Sequence, residues 1–99
     1  RGLYCFGSAF LDGSHTTAVV QQEVALLLPY LADDGVIVID NMDYEQPDGT
    51  CLAGGVQAIA PMAGLSCIFY DSHLPNGDWD PVAVLSRLPE DELADLCER

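Results

Sequence analysis

The chain has no lysine. Its 99 residues carry three arginines (Arg1, Arg87 and Arg99) against sixteen aspartates and glutamates, a formal net charge of −13. A surface of that sign repels phosphate backbones and anionic lipid, which argues against nucleic-acid and membrane-surface partners. A solvated acidic surface, cation binding, a basic partner and a salt-adapted source all remain open.

Other absences narrow the field further. No apolar run approaches the ~20 residues that a membrane-spanning helix needs. The four cysteines (Cys5, Cys51, Cys67 and Cys97) form no C-x-x-C pair, so neither a zinc ribbon nor a thioredoxin-like motif is supported. Cys5 and Cys67 sit in apolar runs and read as core residues. A reducing compartment, such as the cytoplasm, is the simplest setting, although two disulfides stay compatible with the count. Gly13 and Gly54-Gly55 do not build a G-x-G-x-x-G phosphate loop. There is no internal repeat and no low-complexity stretch. The chain starts at Arg1 without a methionine or a signal-like leader, and reads as a fragment or a processed piece of a longer protein.

What is present is a small globular α/β pattern, 49% apolar. A strand is expected over about Ala9 to Asp12. Ser14 or Thr16 can cap the helix that follows, whose apolar positions Val20, Val24, Leu27, Leu28 and Leu31 recur at helical spacing. Pro29 is expected to tighten or kink its last turn, and Asp33-Asp34-Gly35 to end it. Val36 to Ile39 is a continuous β-branched run, expected as a strand covered on both faces and wanting neighbours on both sides. Asp40 to Thr50, with Pro47-Asp48-Gly49, reads as a loop over the strand's carboxyl end.

Leu52 to Met62 reads as a weaker helix ended or bent by Pro61. Leu65 to Tyr70 and Pro81 to Arg87 read as strands paired antiparallel across a loop over Asp71 to Asp80, which holds the turn Pro75-Asn76-Gly77-Asp78. His73 in that loop reads as a surface histidine, and Trp79 as a seal on the sheet edge. Pro89 and the acids after it open a short helix, giving an acidic tail over residues 89–99. The expected order is β-α-β-α-β-β: one partial domain over residues 1–99, with two parallel strands and a C-terminal antiparallel pair. The rest of the sheet is expected from a segment before residue 1 or from a second chain.

Two segments carry the chemistry. Phe10-Leu11-Asp12-Gly13-Ser14-His15 and Val36-Ile37-Val38-Ile39-Asp40-Asn41 each run from buried strand into polar donors. A strand–helix–strand unit is a right-handed crossover that brings both strand ends to one edge of a parallel sheet, where α/β folds hold ligands. Asp12 and Asp40 would then stand about 5 Å apart, close enough to share a cation. The plainer reading is that both aspartates cap helices or hold loops, and that His15 bonds to backbone at a helix start.

These two motifs resemble the second half of class I S-adenosylmethionine-dependent O-methyltransferases. The likeness is to the metal-dependent catechol and caffeoyl-CoA type and to relatives acting on macrolide sugar hydroxyls. In those families the fourth strand ends in F-[IL]-D-G-x-H or F-[IL]-D-x-x-K. The fifth ends in I-D-N or I-D-D, after a helix that closes in P-G-G or D-G-G. The resemblance covers roughly residues 3–88.

It implies a Rossmann-like half-sheet and three ligands for magnesium or a similar divalent cation: Asp12, Asp40 and Asn41. It implies His15 as general base, and a small hydroxylated metabolite as methyl acceptor. Histidine at position 15, with no lysine, favours the sugar-type or small-metabolite relatives over the catechol type. Met42, Tyr44 and Glu45 follow the ligand pair and are the expected substrate-loop contacts. The glycine-rich loop and ribose-binding acid that hold S-adenosylmethionine in those enzymes have no counterpart in these residues. A methyltransferase-like half-domain kept as a structural or interaction module is therefore the alternative. A half of a nucleotide-sugar enzyme or dehydrogenase is weaker, for want of a phosphate-binding loop.

Overall fold

The computed structural model describes residues 6–11, 16–73 and 79–97. In chain order the elements are β1 (Phe6–Leu11), α1 (Thr17–Leu27), β2 (Leu31–Ile39), α2 (Leu52–Met62), β3 (Ser66–His73), β4 (Trp79–Ser86) and α3 (Glu90–Cys97). A single 3₁₀ turn, Leu28–Tyr30, lies between α1 and β2.

The strands form one mixed sheet in the order β1-β2-β4-β3. β1 runs parallel to β2, and β4 is antiparallel to both β2 and β3. The chain is thus an α/β unit with one parallel pair. The parallel step is forced by α1, which carries the chain back along the sheet before β2 begins. β3 and β4 follow one another directly and pair antiparallel from Ser66↔Ser86 to His73↔Trp79. The second neighbour of β2 is therefore β4, from within the chain. Among the described residues the strand with an unpaired outer edge beside β2 is β1.

Alternation along the strands sorts the side chains into two faces. Ile37, Ile39, Ala83 and Leu85 enter a core with Val20 and Val24 of α1 and Leu52, Val56, Ile59 and Ala60 of α2. The opposite face carries the register row Phe10–Val38–Val84–Ile68. Val84 is buried there, and α3 packs against β3 and buries Leu93. At the far end of the same row Phe10 is 57% exposed. Val36 and Val38 are half-buried, so β2 is fully covered on one face and only partly on the other.

Three expectations need correction. The first helix ends at Leu27, not at Gly35. Pro29 offers no N–H for the α-helical ladder, so the chain tightens into the 3₁₀ turn and Leu31 is already extended. Leu31 is buried as a strand residue rather than as part of the helix face. Asp33, Asp34 and Gly35 instead lie inside β2. Phe6 pairs with Leu31 and Ser8 with Val36, so two steps along β1 match five along β2. The surplus is a bulge, held where Ser86 Oγ donates to Gly35 O at 2.7 Å.

The third correction concerns the hairpin. His73 belongs to β3 and Trp79 to β4, because the pairing runs further than the turn residues suggested. The turn Pro75-Asn76-Gly77-Asp78 lies outside the described residues, as does Cys5. Cys51, Cys67 and Cys97 are free thiols. Among the described residues no helix is long and apolar enough to cross a membrane.

Candidate functional site

β1 and β2 end in step. Leu11 and Ile39 are register partners, and the Asp40 N–H donates to Leu11 O at 3.4 Å. Asp12 and His15 lie outside the described residues, so of the expected donors the structure describes Asp40 and Asn41.

Asp40 is buried, 8% exposed, at the carboxyl end of β2. Asn41 follows with φ of 60°, in the left-handed region that costs a side-chain-bearing residue free energy. Asparagine tolerates that region better than most residues because its short amide bonds locally. Here Asn41 Nδ2 donates to Asp40 Oδ1 at 3.0 Å. The carboxamide nitrogen faces the carboxylate, which turns the amide oxygen away from it. By residue type the two side chains are hard oxygen donors suited to magnesium or calcium, although here the amide meets the carboxylate through its nitrogen. Among the described residues no group of three histidine, cysteine or acidic side chains is gathered closely enough to hold a metal.

The chain then enters the loop over residues 40–51, which is closely bonded throughout. Met42 is 2% exposed and belongs to the core, so of the three expected substrate contacts it is the anchor rather than the solvent-facing one. Its N–H donates to Pro81 O, and its carbonyl accepts from Ala53 N–H and from the Cys51 thiol. Tyr44 and Glu45 are exposed. Tyr44 N–H donates to Asn41 O at 3.0 Å, and Leu52 N–H donates to Tyr44 O at 2.9 Å. Glu45 bridges Cys51, which closes the loop at the start of α2.

Pro47-Asp48-Gly49 is the turn its sequence suggested, with Gly49 at φ of 88°. Asp48 Oδ1 accepts from both Thr50 N–H and Thr50 Oγ1. The bond from the Thr50 hydroxyl, then the one from its amide, hold the Asp48 carboxyl below the ordinary aspartate value.

Gln46 is the residue that sequence reasoning passed over. It is buried, 8% exposed, in an otherwise polar loop. Its Oε1 accepts from Thr17 N–H at 2.7 Å and from Thr17 Oγ1 at 3.1 Å. Its Nε2 donates to Thr50 Oγ1 at 3.0 Å. Thr16, the residue before α1, makes no side-chain cap of its own. Gln46 therefore caps α1 from 29 residues away. Nothing local in the sequence separates this glutamine from a solvated one.

No protein-family model matches the chain, and no curated protein matches it.

Proposed function

We propose that the chain is the C-terminal half of an S-adenosylmethionine-dependent O-methyltransferase that acts on a hydroxyl of a small metabolite with a divalent cation. The observation that carries this reading is the Asp40–Asn41 unit at the end of β2, delivered in step with the end of β1. A parallel pair followed by an antiparallel pair supports the same Rossmann-like origin.

In this reading Asp40 and Asn41, with Asp12, hold magnesium or a similar ion. The bound cation supplies a positive charge that lowers the pKa of a coordinated substrate hydroxyl. His15, two residues before α1, takes the proton, because imidazole titrates near neutral pH. Tyr44 and Glu45 meet the substrate from the exposed side of the loop. Most of the pocket for S-adenosylmethionine is contributed by residues outside these 99, either another segment or a second chain that completes the sheet beside β1.

A second reading has its own observation. The largely exposed Phe10 and the edge of β1, unpaired among the described residues, suit a half-domain that serves mainly to pack against a partner. Isothermal titration of Mg²⁺ and Mn²⁺ into the chain and its Asp40→Ala variant separates the two. Loss of a saturable heat in the variant supports the cation site. Indistinguishable traces support the packing module.

A further inference from the structure

The hydrogen bonds of Gln46 connect elements that are distant in sequence. One end of its carboxamide takes both donors of Thr17, the first residue of α1. The other end gives a proton to Thr50, while Gln46 N–H donates to Thr50 O at 2.8 Å. From there the contacts run back toward the site. The Glu45–Cys51 bridge and the Leu52 N–H to Tyr44 O bond fix the loop, and Tyr44 N–H to Asn41 O reaches the left-handed residue itself.

A second observation, independent of these bonds, concerns Thr17. A Cβ built on Gly55 of α2 would overlap Thr17 Oγ1 and crowd its Cβ and Cγ2. Only glycine allows α2 so near. Thr17 is thus set between Gly55 and Gln46, and the loop is referenced to a fixed point on the helix layer.

We infer that Gln46 is a positioning residue, which keeps Asn41 in its left-handed conformation against Asp40 by tying the 40–51 loop to the first turn of α1. The inference deepens the cation-site reading, because Asn41 is one of the proposed ligands. Its physical basis is that a strained residue persists only where its surroundings over-determine it. The chemistry is specific for a carboxamide. Thr17 requires an acceptor, and the Thr50 hydroxyl already gives its proton to Asp48 Oδ1 at 2.6 Å, so on its other side it requires a donor.

The test is nuclear magnetic resonance of the metal-free chain, following the backbone and side-chain amides of Asn41 and the exchange of the Thr17 amide. Gln46→Met is expected to speed Thr17 exchange by about tenfold, the loss of one part-buried hydrogen bond, and to displace both Asn41 signals. Thr17→Val is expected to do the same with smaller amplitude, and decides the matter if Gln46→Met does not fold. Gln46→Glu supplies a pH signature: the Asn41 signals are displaced at neutral pH and return in acid, once the glutamic acid regains a proton to give. Folded variants that alter Thr17 while leaving Asn41 unmoved overturn the inference.

Mn²⁺ forms a separate arm. Failure to broaden the Asn41 side-chain signal in the unaltered chain overturns the cation reading, whereas the metal-free shifts alone decide the role of Gln46.

Discussion

Asp40 donates its backbone N–H to the carbonyl of Leu11, 3.4 Å across the end of the parallel pair. This bond aligns the exits of β1 and β2, and whatever the two strands carry next starts from a common edge. The core beneath them, with Ile37 and Ile39 of β2 fully buried, sets that alignment. The consequences of the packing can be measured without any ligand.

Gly54 and Gly55 adjoin one another in α2 and should respond oppositely to alanine. Nothing lies within 4 Å of a Cβ added at Gly54, so Gly54→Ala should stabilise by about 0.5–1 kcal/mol through helix propensity. Gly55→Ala meets Thr17 and should destabilise despite the same propensity gain. Urea midpoints that shift in the same direction would contradict the close approach of α1 and α2.

Ser86 is fully buried, donates to Gly35 O at 2.7 Å and accepts the Leu88 N–H at 3.2 Å. Ser86→Ala leaves both backbone groups without that partner, and should cost about 1–3 kcal/mol in chemical denaturation. Ser86→Thr, which keeps the hydroxyl, should recover part of that loss unless the extra methyl cannot be packed.

Cys67 should be a slow thiol. Burial, and secondarily the charge of Glu90, push it from 9.0 up to about 11. The folded chain holds this proton more tightly than the unfolded chain does. The associated stability is fully present below about pH 9 and is lost as the pH rises through 11. At pH 8 iodoacetamide should alkylate exposed Cys51 ahead of Cys67, and Cys67→Ala should flatten the alkaline fall in thermal stability. Equal alkylation rates would count against the burial.

Phe10 stands largely in solvent on β1, so Phe10→Thr should change stability by no more than about 0.5 kcal/mol. It should also lower self-association at high concentration, as read by sedimentation. A loss of about 2 kcal/mol or more would mean that the ring is covered.

Much of the architecture was readable because local signals agreed. Leu52–Met62 is bounded as expected, since Pro61 falls in the last turn of α2 and Gly64, at φ of 74°, follows it. The β-branched run over Val36–Ile39 announced β2. The end of α1 was not readable, because Asp33-Asp34-Gly35 is as good a helix stop as it is a bulge. Only the register against β1 decides between the two. The placement of β4 between β2 and β3 is likewise a long-range pairing that no local pattern encodes. At the site, Asp40 and Asn41 stood out by residue type. Gln46 did not, because its partners Thr17 and Thr50 are defined only by the fold.

Arg87 gives one last consequence. Its guanidinium donates to the carbonyl of Leu28 at 2.5 Å, where α1 runs into the 3₁₀ turn. A cation there gives this carbonyl a second donor beside the Leu31 N–H and complements the negative end of the helix. Arg87 is also the one arginine among the described residues, in a chain of sixteen acids. Counter-ions from the buffer must do the neutralising that side chains do elsewhere. Dilute solution should therefore loosen this fold and added sodium chloride tighten it, so that ionic strength acts as a silent component of the native state.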